Sequence, residues 1–188
     1  DRPSGEEKSE VLEAEDATCL GVEKRIISDS ARSSGSGNIK FNQAGGYVEF
    51  EVEAKSSGMY SLDFRYNNVV TGSAITMDLS VNNSQQRTLS FKSNGNYTVN
   101  LDILKVYNII LQEGNNKVRL TAPASSELIL DALTIKKTTL YEAEDAILSG
   151  GAKSSTEHGG YSGSGYVDNL YTNGTGVGND TASERLMV

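Results

Sequence analysis

Tyr47-Val48-Glu49-Phe50-Glu51-Val52-Glu53 alternates apolar and acidic side chains from Val48 onward. Successive side chains of a strand point to opposite faces, so this stretch reads as a strand with one face in a core and one in water. The pattern returns on either side of it. Tyr60-Ser61-Leu62-Asp63-Phe64-Arg65-Tyr66 alternates likewise, and so does Ile75-Thr76-Met77-Asp78-Leu79-Ser80-Val81 before the turn pair Asn82-Asn83. Further runs lie at 87–91, 97–101, 107–111, 117–121 and 128–135. Ser56-Ser57-Gly58, Asn94-Gly95-Asn96 and Glu113-Gly114-Asn115-Asn116 supply turn chemistry between them. Tyr47, Tyr60 and Tyr66 read as core or sheet-face residues, and Asn67-Asn68 as the end of a strand with turn chemistry. No window sustains a 3.6-residue stripe; 101–110 comes nearest and reads as loop plus strand. Many short strands at regular spacing predict an all-β fold, a sandwich of two antiparallel sheets.

The chain has 188 residues, with 17 Lys+Arg against 25 Asp+Glu and a formal charge of −8. That balance argues against nucleic acid as a partner, which calls for a surplus of cations, and against a polybasic membrane anchor. No apolar run approaches the roughly 18 residues that span a bilayer. The first eight residues lack the apolar stretch of a signal peptide and read as a linker or a cut end. Cys19, the single cysteine, has no internal disulfide partner and reads as a small buried apolar side chain.

Internal repetition organises the chain. Glu13-Ala14-Glu15-Asp16-Ala17 recurs as Glu142-Ala143-Glu144-Asp145-Ala146, an offset of 142 − 13 = 129. Ser34-Gly35-Ser36-Gly37 recurs as Ser162-Gly163-Ser164-Gly165, an offset of 162 − 34 = 128. The expected organisation is a linker at 1–10, a complete unit at 11–137, and the N-terminal part of a second similar unit at 138–188. Some 50 residues of such a sandwich are too few to close a core alone, by the rough size scaling of folded domains.

Glu13 and Glu15 lie two apart on an expected strand, which would send both carboxylates to one face. Converging carboxylates repel unless a cation or proton sits between them, and calcium takes oxygen ligands of this kind. An exposed acidic strand edge explains the pair equally well. Asp131, embedded in Leu128-Ile129-Leu130-Asp131-Ala132-Leu133, wants a partner, and the first and last strands of a sandwich often lie side by side. It tips the reading towards a shared ion site.

Taken in order, Glu-Ala-Glu-Asp, Ser-Gly-Ser-Gly, Gly45-Gly46-Tyr47-Val48-Glu49-Phe50, 58–66, 114–120 and Leu130-Asp131-Ala132-Leu133 resemble the carbohydrate-binding modules of families 6 and 35. These are jelly-roll sandwiches appended to polysaccharide-active enzymes. The resemblance covers 11–137, and 141–168 resembles the start of a second module. It implies a structural calcium held by Glu13, Glu15 and Asp131, with backbone carbonyls of the Ser33–Ser36 loop. It also implies a sugar site on the loops at one end. The family commonly places there a Tyr before the Ser-Gly-Ser-Gly loop, a Trp after the middle strands, and an Asn before the late Asp. Here Arg32 or Ser33 stands where the second copy has Tyr161, Tyr97 stands nearest the Trp, and Ile129 or Leu130 replaces the Asn. The expected ligand-binding residues are therefore Tyr97, Asn96, Arg32, Asn94 and Tyr161. Arg32 suits a uronate carboxylate or, more plainly, a solvated loop.

Catalysis finds little support. The only histidine, His158, lies in the second copy, leaving the complete unit no imidazole for a triad. Neither a phosphate loop nor a Cys/His cluster is present. The function expected is a non-catalytic module that binds polysaccharide or oligosaccharide for a catalytic domain of the same polypeptide, in a secreted or cell-surface bacterial protein. A structural or adhesive spacer is the rival reading, and a small catalytic jelly roll is a third.

Overall fold

The computed structural model describes residues 9–26, 33–95, 101–138, 143–161 and 163–169. The chain divides into two compact units, Asp1–Thr139 and Leu140–Val188. Among the described residues of the first, eleven strands follow in order: β1 (Glu10–Glu13), β2 (Thr18–Leu20), β3 (Val22–Ile26), β4 (Gly37–Phe41), β5 (Tyr47–Ala54), β6 (Gly58–Asn68), β7 (Ile75–Val81), β8 (Ser84–Phe91), β9 (Asp102–Leu111), β10 (Gly114–Thr121) and β11 (Leu128–Lys137). They form two antiparallel sheets, β3-β4-β11-β6-β9 with β1 beside β11, and β2-β5-β10-β7-β8. This is the two-sheet sandwich that the alternating runs predict, and the jelly roll that the resemblance implies.

Alternation places the core. Val48, Phe50 and Val52 of β5, Leu62 and Phe64 of β6, and Met77 and Leu79 of β7 are all essentially inaccessible. Phe91 meets Phe64 and Tyr66 edge-on, with centroids 6.2 and 4.9 Å apart, the arrangement that aromatic quadrupoles favour. Asn82 and Asn83 take φ of 50° and 64° in the two-residue loop between β7 and β8, as a tight hairpin requires. Cys19 is a free, half-buried thiol packed against the core.

Some local expectations need correction. Residues 102–111 form one long strand, β9, whose helix-like pattern comes from a bulge opposite Ser61, with Asn108 at φ 60°. Asn67 and Asn68 end a strand, β6, as expected, but as buried residues within it rather than in a turn. Of the run expected at 97–101, only Leu101 is described, and it lies outside a strand.

The second unit has a 3₁₀ turn at Ala143–Asp145 and a small ribbon of β12 (Lys153–Ser155) with β13 (Tyr166–Asp168). No helix among the described residues is long and apolar enough to cross a membrane.

Candidate functional site

The register of β11 slips between Leu130 and Ala132. Core-facing residues before the slip are Leu128 and Leu130, and after it Leu133 and Ile135; the spacing of three marks a bulge. Asp131 is the extra residue. β1 flanks β11 at 132–135 and β4 flanks it at 129–130, so Asp131 faces the gap where β1 ends and β4 begins.

Both predicted partners reach that gap, though not as two residues of one strand. Glu13 is the last residue of β1, whereas Glu15 sits in the turn that follows. The chain turns because the Ala14 amide donates to the Asp131 carbonyl at 2.8 Å and the Ala17 amide to Ala14. The Ser34–Gly37 loop fills the space between the acids. Ser34 Oγ lies 2.8 Å from Glu13 Oε2 and 2.9 Å from Asp131 Oδ2, and the Ser34 amide donates to Asp131 Oδ1 at 3.1 Å. Glu15 Oε1 accepts the Ser36 and Gly37 amides at 2.6 and 2.8 Å. Gly35 allows this approach: its φ is 60°, and a Cβ there would press on the Glu15 carboxylate and come 2.9 Å from Glu13 Cγ.

The electrostatics are unbalanced. Asp131 is fully buried and pairs with Arg65, Nη1 to Oδ2 at 2.8 Å. Glu15 is buried, yet its Oε2 meets no hydrogen-bond donor. Burial above all, then the charges of Glu15 and Asp131, push the Glu13 carboxyl above its ordinary value, against the Ser34 bond and Arg65. An orphaned buried carboxylate oxygen beside a second strained carboxylate suits a hard, oxygen-seeking cation. The expected three-carboxylate set is nevertheless not assembled. Among the described residues no three His, Cys, Asp or Glu side chains gather closely enough for a metal, because Asp131 is drawn to Arg65 and Ser34. The fit is to Glu13 and Glu15, with Asp131 behind the loop.

The expected sugar residues fare differently. Arg32, Asn96 and Tyr97 lie outside the described residues. Asn94 is turned inward: its Oδ1 accepts the Asn68 amide at 2.7 Å and Asn67 Nδ2 at 3.2 Å, so its side chain fastens the end of β6. Beyond it, a groove of ≈ 430 Å³ runs over the outer face of the β3-β4-β11 sheet, lined by Glu23, Arg25, Lys40, Val69, Glu127 and Ile129. Lys40 is paired with Glu127 at 2.8 Å. Cross-strand register assembles this groove, Glu23 opposite Lys40 and Lys40 opposite Ile129, from strands far apart in sequence.

In the second unit Glu144 Oε1 accepts the Ser164 and Gly165 amides at 2.8 and 3.0 Å, and Gly163 has a φ of 66°. This is the geometry of Glu15, Ser36, Gly37 and Gly35. Tyr161 is 40% exposed and lies 6.1 Å from Tyr166, which lies 6.1 Å from His158 with nearly parallel rings. Sequence reasoning singled out Tyr161 from this trio.

No family model matches the chain. A 1,6-alpha-glucosyltransferase of Sporosarcina globispora is 27% identical over 179 residues, covering 88% of this chain; the chain spans only 14% of that relative. The solved family 35 carbohydrate-binding module of Clostridium thermocellum superposes with a TM-score of 0.63 at 31% identity, covering 70% of this chain and 99% of that one. A cycloisomaltooligosaccharide glucanotransferase of a Paenibacillus species, solved with cycloisomaltoheptaose, matches with a TM-score of 0.57 at 26% identity, over 66% of this chain and 18% of that one. With the whole of a solved module matched at that identity and the same two-sheet sandwich, the chain belongs to the carbohydrate-binding modules of family 6/35 type.

Proposed function

We propose that the chain is a non-catalytic module of a secreted carbohydrate-active enzyme, holding its catalytic neighbour against a glycan. The observation that carries this is the full-length match to a family 35 module. Tethering raises the local substrate concentration without altering the chemistry, as any linked binding element does. The relatives that act as a 1,6-alpha-glucosyltransferase and a cycloisomaltooligosaccharide glucanotransferase point to α-glucan, with 1,6-linked chains foremost. The groove over β3, β4 and β11 is the proposed contact surface. Arg25, Lys40, Glu23 and Glu127 offer directed hydrogen bonds to hydroxyls, and Ile129 and Val69 an apolar floor. Residues 138–188 are proposed as the start of a second module, on the strength of the repeated Glu144–Ser164–Gly165 geometry.

A structural calcium belongs to this reading. Glu13 and Glu15 would hold it with carbonyls of the Ser33–Ser36 loop, and it would supply the positive charge that Glu15 Oε2 lacks. The ion would fix the β1–β2 turn to the loop before β4; it takes no part in sugar chemistry.

The spacer reading keeps one specific support, the inward commitment of Asn94. Electrophoresis through gels containing dextran, other α-glucans and uronic polymers, with calcium and with chelator, separates the two. Retardation by at least one glycan that weakens in Lys40→Ala and Arg25→Ala supports binding. Unretarded migration of the folded protein in every gel leaves the spacer.

A further inference from the structure

The acid pocket already contains a cation of its own. Arg65 lies on β6 opposite Ala132, next to the bulge, and its Nη1 holds Asp131 Oδ2 at 2.8 Å. Asp131 is fully buried, while the Arg65 side chain stays about one-third exposed. The pair is therefore asymmetric: the acid has given up its water and the guanidinium has not. Ser34 Oγ bridges the paired Asp131 oxygen to Glu13 Oε2, coupling Arg65 to the rest of the pocket through one hydroxyl. Glu13, Glu15 and Asp131 are offset by Arg65 and by Lys24, whose Nζ donates to the Glu15 carbonyl at 2.6 Å, and the balance stays negative.

We propose that Arg65 is the resident counter-charge of this pocket, a positioning residue that acts through Asp131 to hold the loop in place and to set how strongly the pocket draws a divalent cation. The inference rests on the calcium reading above, and its outcomes differ from that reading's own. With Arg65 in place the loop keeps its geometry without metal, because Asp131 is compensated whether or not an ion is bound. Without it the pocket is more negative by one charge. Mutual repulsion then loosens the metal-free loop, and the divalent ion gains the attraction that Arg65 had opposed. A unit charge at this range in partly buried surroundings alters association on the order of tenfold.

Charge alone is what the geometry asks for. Arg65 gives Asp131 one N–H contact rather than a two-pronged fork, so a lysine ammonium can replace it.

The test uses the full chain with calcium ions as the probe. Wild type, Arg65→Lys and Arg65→Gln are titrated calorimetrically, and their melting temperatures are measured in chelator and in saturating calcium. The expected result has three parts. Arg65→Lys binds calcium as wild type does. Arg65→Gln binds about tenfold more tightly. It also melts lower in chelator yet regains most of the loss in calcium. Equal or weaker binding by Arg65→Gln, with a loss that calcium does not restore, overturns the proposal and makes Arg65 an ordinary structural bridge. Calcium binding by Arg65→Gln alone supports the counter-charge and refutes the calcium reading for the wild type; binding by none of the three refutes both. If Arg65→Gln does not fold, Arg65→Lys decides: wild-type affinity upholds the charge argument, and a tenfold loss overturns it.

Discussion

Removing the Glu15 carboxylate probes the hinge of the molecule most sharply. Glu15 Oε1 accepts two backbone amides, from Ser36 at 2.6 Å and from Gly37 at 2.8 Å, and the second of these bonds is fully buried. Among the described residues no other side chain holds the loop before β4 to the turn after β1 in this way. Hydrogen bonds to an ionised acceptor contribute about 1.5–3 kcal/mol each, and an orphaned buried donor loses its full hydration. Glu15→Ala strands both amides and should cost about 3–5 kcal/mol, a large part of the roughly 5–15 kcal/mol that holds a typical domain together. Glu15→Gln keeps an amide oxygen for the same donors and should cost about 1–2 kcal/mol. Urea denaturation in chelator, followed by circular dichroism, measures both. An Ala variant within about 0.5 kcal/mol of wild type, a difference typical of neutral surface changes, would show that water satisfies these amides and that the loop is not held as described.

Three further outcomes follow from the same geometry. Gly35→Ala places a Cβ against Glu13 and Glu15 at a φ of 60°; left-handed strain of about 1–2 kcal/mol plus displacement of the acids should lower the urea midpoint clearly. On the other sheet, burial raises the Glu49 carboxyl, but hydrogen bonds from Lys117 and Arg119 and their charges outweigh it and hold it below the ordinary 4.5. The depressed value means that Glu49 stabilises the fold above about pH 4.5, the ordinary carboxylate value, and loses this as pH falls through the folded value. Glu49→Gln should therefore be less stable at neutral pH and show a shallower acid slope in pH-dependent urea titrations. Tyr66 is held up to about 12, by burial first and then by the charge and hydrogen bond of Asp102. Above pH 10 the unfolded chain ionises first, so stability falls towards pH 12 by roughly 3 kcal/mol. Tyr66→Phe should remove that part of the alkaline transition in a melting series.

Local alternation made the sandwich legible. Wherever one face of a strand meets the core and the other meets water, as in 47–53 and 75–81, sequence and structure agree. Bulges broke the period: β9 read as half a loop, whereas Asp131 stood out as an acid in an apolar run and so pointed to a partner. Both cases carry the same signature, core residues spaced by three. The acid pocket was legible as a set of residue types, but its wiring was not. Nothing local to Glu15 says that the chain turns after Glu13, and nothing local to Asp131 names Arg65, which the register of β6 brings beside it. The groove was missed because Glu23, Lys40 and Ile129 become neighbours only through the pairing of three strands. Asn94 was legible as polar and exposed by composition; that it fastens Asn67 and Asn68 depends on where β6 ends. Arg32, Asn96 and Tyr97, three of the five residues chosen for sugar contact, fall outside the described residues.

The most direct test of the account is a titration of the isotope-labelled chain with isomaltooligosaccharides, followed residue by residue through its amide resonances in calcium. The account predicts saturable shifts concentrated at Glu23, Arg25, Lys40, Val69, Glu127 and Ile129, with the core strands undisturbed. Unchanged resonances throughout, with isomaltooligosaccharides and with a panel of neutral and uronic sugars, would contradict it and leave the sandwich as a spacer.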